Sequence, residues 1–440
     1  MMSKKNIAKI LKAPRGTEDV LPSDWQLWRA VEETAREVFE LAGYYEIRTP
    51  IFEDTNLFVR SIGEVTDIVE KEMYTFKDGD SSGITLRPES TASVMRAYVE
   101  YEIYKTKKFQ KFYYIGPMFR KERPQAGRLR QFHQMGIEAI GADDPMLDAE
   151  AIIVAMRMYD KLGLPGCKVK INSIGCKECR PGYREVLKEQ LIKNSENLCE
   201  LCNTRMNRNV LKVLDCKNEK CKEVTAVVPN IREHICECCK NSFDGLIDIL
   251  SASNIGYVIE PHLVRGLDYY TKTVFEITHP SLGARDTICA GGRYDYLVSD
   301  IGGPETGAVG FAAGIEASML ALKNSMSEMS DSTKQRLFDI KEPAPDVYIV
   351  SIGSECRRAS FLLTNSLRGE GISVDMDYED RSPKAQMRTA NKLKVNFVAV
   401  IGQDEIDNGT VKLKNMHTSD ENVLEKAKVA EFVKKLLLNK

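Results

Sequence analysis

The sequence predicts an α+β domain built on an antiparallel sheet, broken by a cysteine-rich insertion and followed by a separate α/β domain. Three observations carry this. Two strand-like runs, 109–119 and 131–140, are joined by a polar loop and read as a hairpin. Nine of the twelve cysteines fall between Cys176 and Cys239. Beyond residue 345, strand-like and helix-like segments alternate, which marks an α/β unit. The expected division is 1–174 and 251–325 for the two parts of the first domain and 175–250 for the insertion. A linker at 326–345 and a last domain at 346–440 complete it.

The first element is a helix after Pro22, with Ser23 and Gln26 at capping-box spacing. Leu27, Trp28, Val31, Ala35, Val38, Phe39 and Ala42 recur at helical period, and Gly43 supplies the stop. A strand is expected over 44–52, with further strands at 72–76, 84–86, 109–119, 131–140, 169–174, 257–259 and 273–277. Helices are expected at 90–100 and 148–162, and within the insertion at 183–191 and 247–253. In the last domain the expected order is strand 347–353, helix 355–369, strand 372–377, helix 383–393, strand 395–402, strand 410–414 and a closing helix 423–438.

Composition excludes several classes. The 440 residues are 43% hydrophobic, and 62 basic against 64 acidic residues leave a net charge of −2, which disfavours a uniformly basic nucleic-acid binder and an acidic disordered chain. No apolar run reaches the roughly 18 residues that span a bilayer. The start, MMSKKNIAKILKAPRG, lacks the apolar core of a secretory signal, so a cytoplasmic protein without membrane association is expected.

Charge is concentrated in the hairpin loop. Arg120, Lys121, Arg123, Arg128 and Arg130 face a single Glu122, a local +4 over eleven residues. Guanidinium forks grip phosphate oxygens, although a solvated turn has the same composition. Phe132 opens the returning strand beside those arginines and offers an adenine platform. Gln134, Gly136 and Glu138 then alternate on one face, placing polar groups where a pocket floor would lie.

These motifs resemble class II aminoacyl-tRNA synthetases, specifically the histidyl enzymes. FRKER at 119–123 with RQFHQMG at 130–136 resembles the second class II motif, and the helix and strand around Pro50 resemble the first. LVRGLDYYTKTVFE at 263–276, AGGRYD at 290–295 and LRPEST at 86–91 resemble segments peculiar to the histidyl family. The resemblance implies a class II synthetase fold with a C-terminal anticodon-binding domain. It implies ATP with Mg2+, histidine and tRNA(His) as substrates, and a homodimer.

The resemblance also assigns roles. Arg120 and Arg265 act on the α-phosphate from opposite sides. Glu89, Ser90, Thr91, Gln134, Glu138, Tyr269 and Tyr270 form the histidine site, and Arg120, Glu122, Arg128, Phe132 and Glu316 the ATP site. Read from residue type alone, Arg265 could instead pair with Asp268, and either tyrosine could be a core residue. Two positions depart from the family: Ala317 stands where an arginine normally stacks on adenine, and Ser90 where glycine is usual. A non-catalytic, histidine-sensing paralogue therefore stands as the alternative, although such paralogues usually lack the C-terminal domain. A zinc-dependent nucleic-acid-binding module is a third reading, which leaves Arg120 and Glu138 unexplained.

The cysteines pair as Cys176/Cys179, Cys199/Cys202, Cys216/Cys221 and Cys236/Cys239, with Cys238 left over. Without a secretory signal, metal ligation outranks disulfides. One or two structural zinc sites are expected, with iron–sulfur a minor option and reduced thiols the plain alternative. His234 is the one histidine near these cysteines in sequence.

Overall fold

In a computed structural model, the structure describes residues 10–64, 66–77, 79, 83–125, 127–338 and 344–438. Packing divides the chain between residues 339 and 340 into two units.

Among the described residues the first unit has eleven strands: β1 Tyr45–Glu46, β2 Phe52–Asp54, β3 Tyr74–Phe76, β4 Ile84–Leu86, β5 Gln110–Phe119, β6 Gln131–Ile140, β7 Lys168–Ser173, β8 Tyr257–Ile259, β9 Thr271–Thr278, β10 Thr287–Arg293 and β11 Ala308–Gly314. Eight of them form one sheet in the order β1–β5–β6–β11–β10–β9–β7–β8. Every pairing from β5 to β7 is antiparallel, and only the edge strands β1 and β8 join in parallel. β2, β4 and β3 make a small antiparallel sheet. Helices Pro22–Leu41, Pro145–Leu162 and Ile315–Asn324 supply apolar faces to the core that covers one side of the large sheet.

Several expectations change in detail. The first helix begins at Pro22 with Leu21 as its N-cap, so the Ser23/Gln26 capping box does not form. Pro22 has no N–H to satisfy and its fixed φ suits the first helical position. Gln26 instead donates to the Arg336 carbonyl at 3.3 Å. The strand expected over 44–52 is two short pieces, β1 and β2. Residues 326–338, expected as linker, hold a 3-10 turn and the helix Asp331–Phe338, whose Leu337 is buried in the main core. Of the rest of that expected linker, 339–343 lie outside the described residues, as do residues 1–9.

Between β7 and β8 the chain leaves the sheet and returns. Its insertion carries helices Arg180–Lys193, Glu200–Arg208 and Glu219–Ala226, and returns through Glu237–Ala252. Phe243, Leu246 and Leu250 of that last helix are buried in the main core. The insertion is thus built into the first unit at both of its ends.

The second unit has β12 Val347–Ser351, β13 Val374–Met376, β14 Phe397–Ile401, β15 Thr410–Asn415 and β16 Glu421–Glu425, in the order β13–β12–β14–β15–β16. The first three are parallel and the last two antiparallel. The closing helix is Val429–Leu438, not 423–438. Residues 421–425 alternate exposed and half-buried, the period of a strand, and pair with β15.

Candidate active site

The floor of the site is Glu138 on β6, fully buried opposite Gly310 of β11. A Cβ at Gly310 would collide with the Glu138 carboxyl, so the register demands glycine there. Thr91 Oγ1 donates to Glu138 Oε1 at 2.6 Å, and the Tyr294 hydroxyl donates to Oε2. Burial pushes the Glu138 carboxyl up to about 8 against the pull of those two hydroxyls, and the nearby Glu89 adds to the rise.

Glu89 is itself buried, and its carboxylate accepts the amides of Thr91 at 2.6 Å and Ala92 at 3.0 Å. It thereby occupies the N-terminus of helix Thr91–Glu100, where the helix dipole favours negative charge. Burial raises its pKa, while the two amides and Arg120 oppose the rise. A cavity of about 160 Å³ is lined by Glu89, Thr91, Gln134, Tyr269, Tyr270 and Tyr294, with Arg120 and Arg265 at its wall. Glu138 lies behind Thr91 and Tyr294. Ser90 is buried beside the cavity, and neither its Oγ nor Gln134 Oε1 has a protein partner among the described residues.

Arg120 follows the last residue of β5, and its Nε donates to the Pro88 carbonyl at 2.8 Å. Its guanidinium sits 5.3 Å from the Phe132 ring centroid, because hairpin register sets Phe132 opposite Met118. Arg265 pairs with Glu276 of β9 and lies 6.0 Å from the Tyr270 ring. Burial opposes its charge, yet Glu276 holds its pKa above the ordinary arginine value. Among the described residues Arg265 makes no ion pair with Asp268, whose carboxylate accepts from Asn209 Nδ2 at 2.8 Å. Both arginines also line a second cavity with Arg128, Arg205 and Lys212, into which the carboxylates of Asp67, Glu72, Glu122 and Asp215 also face. Glu122 is held by Arg128 at 3.3 Å and stands 3.9 Å from Arg120.

Glu316 lies apart from both cavities. Its carboxylate accepts the His133 amide at 2.9 Å and faces His133 Nδ1 at 3.0 Å, in a neighbouring hollow with Trp28. Beside it, Ala317 Cα is 3.8 Å from where a Gly127 side chain would begin, so the hairpin loop comes over the position of the missing arginine.

Sequence reasoning missed Tyr294, Glu276, Arg205 and Lys212. Tyr294 and Glu276 stood within quoted motifs, but their partners come from other strands. The insertion residues carried no signal, because only folding brings them to the second cavity.

The cysteines form two groups, Cys176/Cys179/Cys236/Cys239 and Cys199/Cys202/Cys216/Cys221, each with its sulfurs within 4.8 Å of one another. His234 belongs to neither and packs on Tyr183.

An antiparallel sheet bearing a hairpin arginine beside a stacking phenylalanine is the catalytic core of a class II aminoacyl-tRNA synthetase. The family model for histidyl-tRNA synthetase matches residues 16–317, and that for an anticodon binding domain matches 346–436. Curated histidine–tRNA ligases from Halothermothrix orenii and Clostridioides difficile are 47% and 46% identical, each match covering 97% of this chain and all of the relative. The apo crystal structure of Staphylococcus aureus histidyl-tRNA synthetase superposes with a TM-score of 0.77 at 36% identity, covering 97% of this chain and all of that one. The chain belongs to the histidyl-tRNA synthetase family, whose members are ligases. Among the described residues, no helix is long and apolar enough to cross a membrane.

Proposed function

We propose that the chain activates histidine with ATP and transfers the histidyl group to the 3′ end of tRNA(His) in the cytoplasm. One observation carries this reading: Arg120 and Arg265 stand between two cavities, one fit for histidine and one that sets further basic side chains among carboxylates, as a polyphosphate with its cation requires. The histidine carboxylate attacks the α-phosphorus of ATP. A carboxyl O–P bond forms, the bond to the β-phosphate oxygen breaks, and pyrophosphate leaves. The nucleophile is already anionic, so no general base is needed. The work is alignment and charge stabilisation, which two fixed guanidiniums supply. Mg2+ enters with the ATP phosphates.

On the histidine side, Glu89 and Gln134 hold the ammonium group. The Glu138–Thr91–Tyr294 network, with Tyr269 and Tyr270, reads the imidazole, whose two nitrogens need one donor and one acceptor. Ser90 supports that wall. On the ATP side, Phe132 provides the adenine face, Glu122 and Arg128 the rim, and Glu316 anchors the start of β6 through His133. Residues 346–440 bind the anticodon, and the insertion holds structural zinc. Support for a homodimer comes from Tyr45, Phe52 and Tyr101, large side chains left more than half exposed. The apolar face of helix Pro22–Leu41 is buried within its own chain and takes no part in that argument.

The test is histidine-dependent ATP–pyrophosphate exchange followed by charging of tRNA(His). Exchange with no other amino acid, and charging of that tRNA alone, is the expected result. Histidine binding with no exchange at saturating ATP would establish the sensor instead.

A further inference from the structure

We infer that the insertion holds two separate zinc ions, and that the one at its base positions the histidine site. The inference deepens the zinc reading above and rests on it.

The sulfur geometry is the first support. A tetrahedral ion with Zn–S of about 2.3 Å places its sulfurs about 3.8 Å apart. Cys176 Sγ lies 3.7 Å from Cys179 Sγ and 3.8 Å from Cys236 Sγ, and Cys179 Sγ lies 3.9 Å from Cys239 Sγ. In the other group Cys199 and Cys216 are 3.9 Å apart. These separations are far too long for disulfides, at about 2.05 Å. They also fit one ion per group better than a cluster whose cysteines bind different irons. Amides of Cys176 and Cys199 donate to the sulfurs of Cys179 and Cys221, each at 3.2 Å, as is usual around bound thiolates.

The two groups sit in different places. Cys176 and Cys179 follow β7 as the chain leaves the sheet, and Cys236 and Cys239 start the helix on which it returns. An ion there closes the insertion at its neck. The other four cysteines lie wholly within the insertion, around helices Glu200–Arg208 and Glu219–Ala226.

The neck is hydrogen-bonded to the histidine cavity. Arg180, next after Cys179, donates to the carbonyls of Ile174 at 3.0 Å, Gly175 at 2.9 Å and Tyr270 at 2.6 Å. Ile174 N donates to Lys272 O and Lys272 N to Gly175 O, both at 2.8 Å. Lys272 holds a left-handed φ of 48°, a conformation a non-glycine keeps only when its surroundings fix it. Tyr269 and Tyr270 therefore take their place from a segment that the neck cysteines anchor. Arg180 is a positioning residue that touches no substrate.

Elemental analysis of the full chain, purified anaerobically without chelators, is expected to find two zinc ions per chain. One or none, or iron in their place, overturns the assignment. Cys236→Ser should lose one zinc and raise the histidine KM about tenfold, the scale of outer-shell defects at metal sites, with the KM for ATP changing far less. Cys216→Ser should lose the other zinc with a smaller effect on histidine. Arg180→Lys should keep both ions and still raise the histidine KM, and it tests the link even if Cys236→Ser fails to fold. A wild-type histidine KM in Arg180→Lys refutes the positioning role. Two zinc ions in a chain without histidine-dependent exchange would sink the proposed reaction and leave the metal sites standing.

Discussion

Raising the pH from 7 to 9 is expected to weaken histidine binding about tenfold through Glu138 alone, and Glu138→Gln is expected to abolish that loss. Burial holds the Glu138 carboxyl at about 8, so at pH 7 the empty site keeps its proton. Free imidazole, with a pKa of about 6.5, is neutral at the same pH. A complex that shares one proton between ring and carboxyl, directly or through the Thr91 or Tyr294 hydroxyl, then forms without net proton exchange. Above 8 the empty site has lost that proton, and binding must recover it from solvent. Each pH unit beyond 8 costs about 1.4 kcal/mol, a factor of ten in affinity. Below about 6.5 the free ring is charged and must shed a proton, so affinity falls on that side as well. Titration calorimetry from pH 6 to 9 on both proteins measures the effect. The ammonium group of histidine also titrates near pH 9, but equally for both proteins, so the ratio of their affinities isolates Glu138. Parallel pH profiles for the two would refute the argument.

Ala317→Arg restores a cation over the adenine face, a contact worth roughly 0.5–2 kcal/mol, so the KM for ATP in pyrophosphate exchange should fall at least twofold. A rise would mean that the loop at Gly127 already fills the space. Arg120→Lys loses the fork that reaches Pro88 and Phe132, and kcat for exchange should drop by about 10²–10³ with a smaller change in KM. Arg293→Met strands the fully buried Asp148, now paired with Arg293 at 2.7 Å. Urea denaturation should report a loss of about 3–5 kcal/mol, and a loss under about 1 kcal/mol would count against a buried pair.

The hairpin was legible because β5 and β6 each run ten residues either side of a polar loop, and β5 is rich in aromatic residues. β4, β6, β8 and helix Pro383–Leu393 keep the bounds read from sequence. β10 and β11 were missed. Their sequences, TICAGGR and AVGFAAG, are dominated by alanine and glycine, which have poor strand propensity. The glycines are there for space: a Cβ on Gly291 would stand 2.7 Å from both Phe275 Cζ and Phe311 Cβ. At the site, motif residues such as Glu89 and Arg120 could be named, while Tyr294 and Glu276 could not. Tyr294 matters because antiparallel register carries it to Glu138, and no spacing along one chain encodes that meeting. The metal groups were open for the same reason. Spacing pairs the cysteines two by two, but only the fold sets the first pair with the last and the inner pairs with each other.

The distribution of strained groups bears on whether the chain is an enzyme or a sensor. Among the described residues Gln134 Oε1, Ser90 Oγ and Arg265 Nε are buried without protein partners, and Glu138 is buried in a setting that disfavours its charge. Such groups each cost stability and cluster where a ligand can compensate them. A histidine sensor would keep those around Glu138 equally well. Behind Arg120 and Arg265 a second cavity adds Arg128, Arg205 and Lys212, five cations against the four carboxylates of Asp67, Glu72, Glu122 and Asp215, with Arg205 paired to Asp67 at 3.0 Å and Arg128 to Glu122 at 3.3 Å. Arg205 and Lys212 come from the insertion, Arg120 and Arg128 from the hairpin and Arg265 from the stretch after β8, so the chain assembles this cluster from three separate segments. Guanidiniums and carboxylates side by side behind the amino-acid pocket fit a polyphosphate that enters with Mg2+, which a sensor of histidine alone does not need, and so favour activation chemistry in spite of Ala317.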